Sequence, residues 1–237
     1  LSTLKFVSEI LLRLVSTVIL SRLLAPEVYG VFAIVLVYMY LLEMISDVGI
    51  RPLVLTKEDP VDDGFLCTVW TVSILRGLVI ASVSALIALV INLLQVQDVF
   101  GPESPYAAAA LPWAIASLGG AALIKGFASP MRFMSERAMS FRNVTAVDVA
   151  CNVVTLVVTI ALAFYLRSIW ALILGGVFRS LFYVWTSFAV FKGPSMRWSL
   201  RRDYLGLLID RGKWIIGHST LTALSQSADR LILGAVM

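Results

Sequence analysis

The sequence predicts an all-α fold: a polytopic membrane helix bundle with a six-helix N-terminal lobe and the start of a seventh span. Three observations carry that reading. Of 237 residues, 59% are hydrophobic and 14% charged. A soluble domain holds about 25% charged residues, so this chain has too little polar material to cover a water-facing surface. Its apolar runs repeatedly reach the ~20 residues that cross ~30 Å of hydrocarbon, and mean hydropathy is +0.92. Lysine and arginine gather in alternate connections between those runs, as the positive-inside bias requires.

The spans follow in order. Residues 4–24 form the first and 28–45 the second, joined through SRLLAPEVYG, Ser21 to Gly30. Pro26 ends the first span, because proline disfavours helical geometry in the residue before it. At an early helical position it helps start the second, where Gly30 is expected to permit close packing. Residues 69–94 are the third span and 107–124 the fourth, with a continuation to residue 133 left open. Residues 144–166 and 169–190 are the fifth and sixth. A seventh begins near Trp214 and is interrupted by Asp229 and Arg230.

The resulting units are a lobe over 1–190, a linker over 191–213 and a seventh helix over 214–237, expected to open a second lobe. Residue 1 is Leu and Met237 lies inside an apolar run, so the sequence reads as the N-terminal part of a longer chain. In the linker, Ser199 is placed to cap a short helix. Its apolar side chains Leu200, Tyr204, Leu205 and Leu208 are expected at the membrane interface, with Arg201 and Arg202 toward headgroups. Trp70, Trp170, Trp198 and Trp214 lie near span ends, where tryptophan anchors helices at the headgroup level.

Orientation rests on the connections. Those after the second, fourth and sixth spans hold Arg51 and Lys57; Lys125, Arg132, Arg137 and Arg142; and Lys192, Arg197, Arg201, Arg202, Arg211 and Lys213. Those after the first, third and fifth hold Arg22, none, and Arg167. The N-terminus and the even-numbered connections are therefore expected in the cytoplasm. The opposite connections are short and leave no room for a catalytic domain. The single histidine, His218, gives almost no material for histidine chemistry, and no GxxxxGK[ST] phosphate loop is present. Cys67 and Cys151 have neither metal nor disulfide spacing and read as small apolar filler. No enzyme activity, cofactor, metal or nucleic-acid partner is expected.

Charges at bilayer depth cost several kcal/mol unless paired or wet, so each is a site hypothesis. Arg13 lies ~14 Å into the first span and Arg179 ~15 Å into the sixth. Arg76 is nearer its span end and within snorkelling reach of water. Glu9 and Arg13, spaced i, i+4, can instead pair on one helix face. Arg179 has no acid within a turn on its own helix, so its partner must be another helix, water or a ligand. Asp148 and Asn152 share a face of the fifth span, suited to interhelical hydrogen bonds or to a coupling cation. Asp229 lies inside the seventh. Two deep arginines with few deep acids suggest a cationic, water-accessible cavity for an anion, and guanidinium binds phosphate bidentately. Gly119-Gly120 and Gly175-Gly176 are expected to serve close helix packing.

These residues form a familiar series. Arg22-Leu-Leu-Ala-Pro26-Glu-Val-Tyr-Gly30 resembles the signature between the first two helices of polysaccharide transporters. Ser46-Asp47-Val-Gly49, Glu136-Arg-Ala-Met-Ser-Phe141, Ile169-Trp-Ala-Leu172 with Gly175, Pro194, and Asp229-Arg-Leu-Ile-Leu-Gly234 follow in the family's order. The chain resembles the N-terminal half of a Wzx-like oligosaccharide-lipid flippase of the multidrug/oligosaccharidyl-lipid/polysaccharide exporter superfamily. The resemblance implies two six-helix lobes facing a central cavity in a bacterial cytoplasmic membrane. Undecaprenyl-pyrophosphate-linked repeat units would be turned across it by alternating access, for O-antigen, capsule or exopolysaccharide. It implies coupling to a cation gradient or membrane potential, which draws attention to Asp229, and contact with membrane lipids and polymerase machinery. Arg13 and Arg179 match no family motif and rest on depth. The alternative is a multidrug or other small-molecule exporter of the same superfamily, which would favour an acidic cavity.

Overall fold

A computed structural model describes residues 2–46, 49–56, 61–101, 104–210, 212–214 and 217. Among them every regular element is helical: α1 Ser2–Leu23, α2 Pro26–Ile45, α3 Ile50–Thr56, α4 Asp63–Val96, a 3-10 turn Pro105–Ala107, α5 Leu111–Gly126, α6 Met131–Arg137, α7 Phe141–Leu166 and α8 Ile169–Val190. A further helical segment covers 202–210. Among the described residues four helices, α2, α4, α7 and α8, are each long and apolar enough to cross a membrane, and α5 with α6 makes a fifth if that bent pair is one span. Among the described residues α1 holds a shorter apolar helix, Leu14–Leu23.

Helix ends follow local chemistry. Pro26 occupies the first turn of α2 after an extended Ala25, where its missing N–H costs nothing. Asp62 caps α4 by accepting the Phe65 N–H at 3.2 Å. At 34 residues α4 runs ~51 Å, longer than the ~30 Å of hydrocarbon, and its first turns are buried, Phe65 and Val69 among them. The fourth apolar run is not one straight helix to residue 133: the chain bends by 64° between α5 and α6, because Pro130 at the start of α6 disfavours helix in the residue before it. Arg167 closes α7 in the left-handed region, φ 45°, and lets α8 begin two residues later.

The helices pack in the order α4, α5, α8, α7, α1, with α2 against α5 and α8. Small residues bring α4 and α5 together: a Cβ at Gly77 would stand 2.9 Å from the Leu123 Cα, and one at Gly126 2.8 Å from the Ser73 carbonyl oxygen. Val35, Ile91, Leu111, Ile115 and Ile173 form the largest apolar cluster between α2, α4, α5 and α8. The glycine pairs expected in close packing do it at Gly119, over Ser84, and at Gly175 and Gly176, over Thr159 and Leu118. Gly30 does not. It faces open space, with nothing within 4 Å of a Cβ built there, because α2 turns that side away from its neighbours.

One end of the bundle carries a cap that sequence reading did not resolve. Ile50, Leu53 and Val54 of α3 pack with Phe65 and Val69 of α4 and with Leu208, and Phe133 and Met134 of α6 join them. Gly49, at φ 66°, makes the left-handed turn into α3 that side chains resist. In segment 202–210 Tyr204 and Leu208 pack on protein, while Ile209, and Leu200 just before the segment, are exposed. The Tyr204 ring meets Phe65 edge-on at 5.3 Å, its hydroxyl donates to Asp62 at 2.8 Å, and Leu208 is buried. Ser199, expected as a helix cap, instead donates its N–H to Thr71 Oγ1. Trp70 donates to the Phe127 carbonyl at 3.0 Å and lies 5.9 Å from Trp198. Trp170, Trp198 and Trp214 are exposed. Cys67 and Cys151 are buried free thiols.

Candidate functional site

At 3.6 residues per turn, α8 divides into two faces. Trp170, Leu174, Leu181, Trp185 and Phe188 lie on one and are all exposed. Leu172, Gly175, Arg179, Tyr183 and Thr186 lie on the other, which packs on α7. Gly175 sits against Thr159, Thr186 hydrogen-bonds Cys151 at 3.6 Å, and Tyr183 joins Asp148 through Arg132. Arg179 is in mid-helix on this inward face. Its side chain is nevertheless exposed, and among the described residues it makes no hydrogen bond or ion pair.

The matching face of α7 is polar along its length: Asp148, Asn152, Thr155 and Thr159 repeat at three- and four-residue steps. Asp148 is held by Arg132, whose Nη1 and Nη2 donate to its two oxygens at 2.8 and 3.0 Å. Arg132 Nη1 also donates to the Tyr183 hydroxyl at 3.0 Å, and its Nε approaches Glu136 at 3.4 Å. Arg51 donates to the other Glu136 oxygen at 2.8 Å. Two arginines and two carboxylates thus balance across α3, α6, α7 and α8. The Asp148, Arg132 and Glu136 side chains are 11%, 15% and 4% exposed, so their attraction is only weakly screened. Asn152 is half-buried one turn further on.

Arg76 lies elsewhere. It donates to Ser46 Oγ at 3.2 Å and to the Glu43 carbonyl at 2.7 Å, and Lys125 meets the Glu43 carboxylate at 3.1 Å. These groups satisfy the C-terminal carbonyl end of α2 beside the cap. Leu20 and Leu24 at the end of α1 pack with Ala163, Ala171 and Leu172. Counting back along the two helices brings residue 13 about level with the middle of α7 and with Arg179. The side chain of Arg13 lies outside the described residues, as do Asp47 and Asp229. Arg22 and Glu27 are both exposed, and among the described residues they form no ion pair. Among the described residues no group of three His, Cys, Asp or Glu side chains is placed to hold a metal ion.

The structure therefore brings Arg179, Asp148 and Asn152 onto one helix–helix seam and sets Arg76 apart. Sequence reasoning counted Arg132 only as a positive-inside charge. Its i, i+4 spacing to Glu136 was a visible signal, while Asp148 and Tyr183 are 16 and 51 residues away. A family model described as polysaccharide biosynthesis protein matches residues 19–237. No curated protein and no solved structure matches the chain.

Proposed function

Because the chain belongs to the polysaccharide biosynthesis protein family, we propose that it forms one lobe of a flippase that turns lipid-linked oligosaccharide units across a bacterial cytoplasmic membrane. The observation that supports this is Arg179: a guanidinium at mid-span, on the inward face of α8, exposed and, among the described residues, without a protein partner. In hydrocarbon such a charge costs several kcal/mol. Facing a water-filled cleft it is stable and offers a fork of donors matched to a phosphate. The undecaprenyl-pyrophosphate carrier supplies that anion, and the exposed apolar face of α8 meets lipid.

In this reading the basic cap lies in the cytoplasm, the N-terminus with it, and Arg13 adds to the same cavity. Alternating access moves the pyrophosphate past Arg179 while the sugars follow through the cleft, for O-antigen, capsule or exopolysaccharide assembly. The protein acts as a transporter and catalyses no covalent step. The test is Arg179→Ala in the full-length protein. Surface polysaccharide is expected to be lost while membrane insertion and protein level stay normal. Normal polysaccharide export by a well-expressed variant overturns the assignment.

A further inference from the structure

We infer that Thr155 is a second anion-contacting residue beside Arg179, its hydroxyl donating to the oxyanion that the arginine holds. The inference rests on the reading of Arg179 as an anion site. Three contacts set the antiparallel register of α7 and α8: Gly175 with Thr159, Thr186 with Cys151, and Tyr183 with Asp148 through Arg132. Stepping between them puts Thr155 opposite Arg179.

The Thr155 Oγ1 is buried and, among the described residues, has no hydrogen-bond partner. That sets it apart from other helical threonines of this protein. Thr68, Thr71 and Thr186 each donate to the carbonyl four residues back, at 2.8, 2.8 and 2.9 Å, the usual way such a hydroxyl is satisfied in a helix. Thr155 forgoes that bond. A buried unmade hydrogen bond is a standing cost, and here it coincides with Arg179 across the seam, a cation with no partner among the described residues. A guanidinium has donors and no acceptor, so a group that bridges the two offers acceptors to both. That is the chemistry of a phosphoryl oxygen. Asn152, one turn along the same face, borders the position from the side of the Arg132–Asp148 pair.

The experiment measures binding of inorganic pyrophosphate to the full-length protein in lipid nanodiscs, with thermal unfolding followed in parallel. Thr155→Val keeps the shape and removes the hydroxyl. It is expected to weaken binding about tenfold, the size of one hydrogen bond to a charged group. Thr155→Ser is expected to bind within about twofold of wild type. Thr155→Val should melt no lower than wild type, since it deletes an unsatisfied group, a result that a packing role for Thr155 would reverse. Arg179→Gln should weaken binding whatever residue 155 is. Unchanged binding by Thr155→Val, or equal loss in Thr155→Ser, overturns the inference and leaves Arg179 standing if Arg179→Gln is weakened. Wild-type affinity in Arg179→Gln, or no binding by wild type, overturns both.

Discussion

Asp148→Asn removes one charge from the buried network at the cap-side end of the α7–α8 seam. Asp148 receives two hydrogen bonds from Arg132, at 2.8 and 3.0 Å, and the two side chains are 11% and 15% exposed. Unit charges about 4 Å apart attract by about 4 kcal/mol at an effective dielectric near 20. Breaking a buried pair from one side costs about 3–5 kcal/mol, because the other charge stays buried without its partner. Tyr183 and Glu136 still face Arg132 in the variant, which places the expected loss at the lower end, about 3 kcal/mol. Equilibrium unfolding of the purified protein in detergent reads that difference directly. Removing both charges tells the rest: Arg132→Met with Asp148→Leu leaves Glu136 paired with Arg51 and should fall within about 1 kcal/mol of wild type. If Asp148→Asn alone unfolds within about 1 kcal/mol of wild type, the pair behaves as a surface ion pair and the network does not hold the seam.

Other consequences follow from the same contacts. Gly175→Ala drives a methyl group into Thr159 Oγ1 and should cost about 1–3 kcal/mol by the same unfolding assay, with recovery when Thr159→Ala is added. Gly30→Ala, in a family-signature position but with open space around it, should be neutral or stabilising by up to about 1 kcal/mol, and a loss above that would show a packing role the fold lacks. At Asp62, burial pushes the carboxyl upward, but the Tyr204 hydroxyl, the Phe65 N–H and Arg201 outweigh it and hold the group below its ordinary 3.8. Its contribution to stability is therefore complete above pH 3.8 and lost as pH falls through the lower folded value. Unfolding free energies of wild type and Asp62→Asn should converge over that acid window, and a constant difference there would contradict the cap.

Much of the architecture is legible in hydropathy, and the reasons differ by element. The sixth span is expected over 169–190 and α8 is Ile169–Val190, because the charged turn at Arg167 and the linker bound an apolar run whose one charge is Arg179. The third span begins at residue 69 by hydropathy, yet α4 starts at Asp63. The turn Asp62-Asp63-Gly64 reads as loop, although an aspartate three residues before Phe65 is also a helix cap. α3 is seven residues long between charged neighbours, too short for any window to register. Depth alone singles out Arg179, since a mid-span charge is visible in one dimension. The Arg132 cluster is not visible there, because its groups meet only when α6, α7 and α8 pack.

The central claim is that Arg179 faces water within the membrane. The most direct measurement is thiol accessibility in the full-length protein in native membranes, in a background where Cys67 and Cys151 are replaced by alanine. A charged, membrane-impermeant thiol reagent should modify Arg179→Cys and leave Leu174→Cys and Leu181→Cys, on the exposed apolar face of the same helix, unmodified. Arg179→Cys that stays as unreactive as Leu181→Cys would contradict the account.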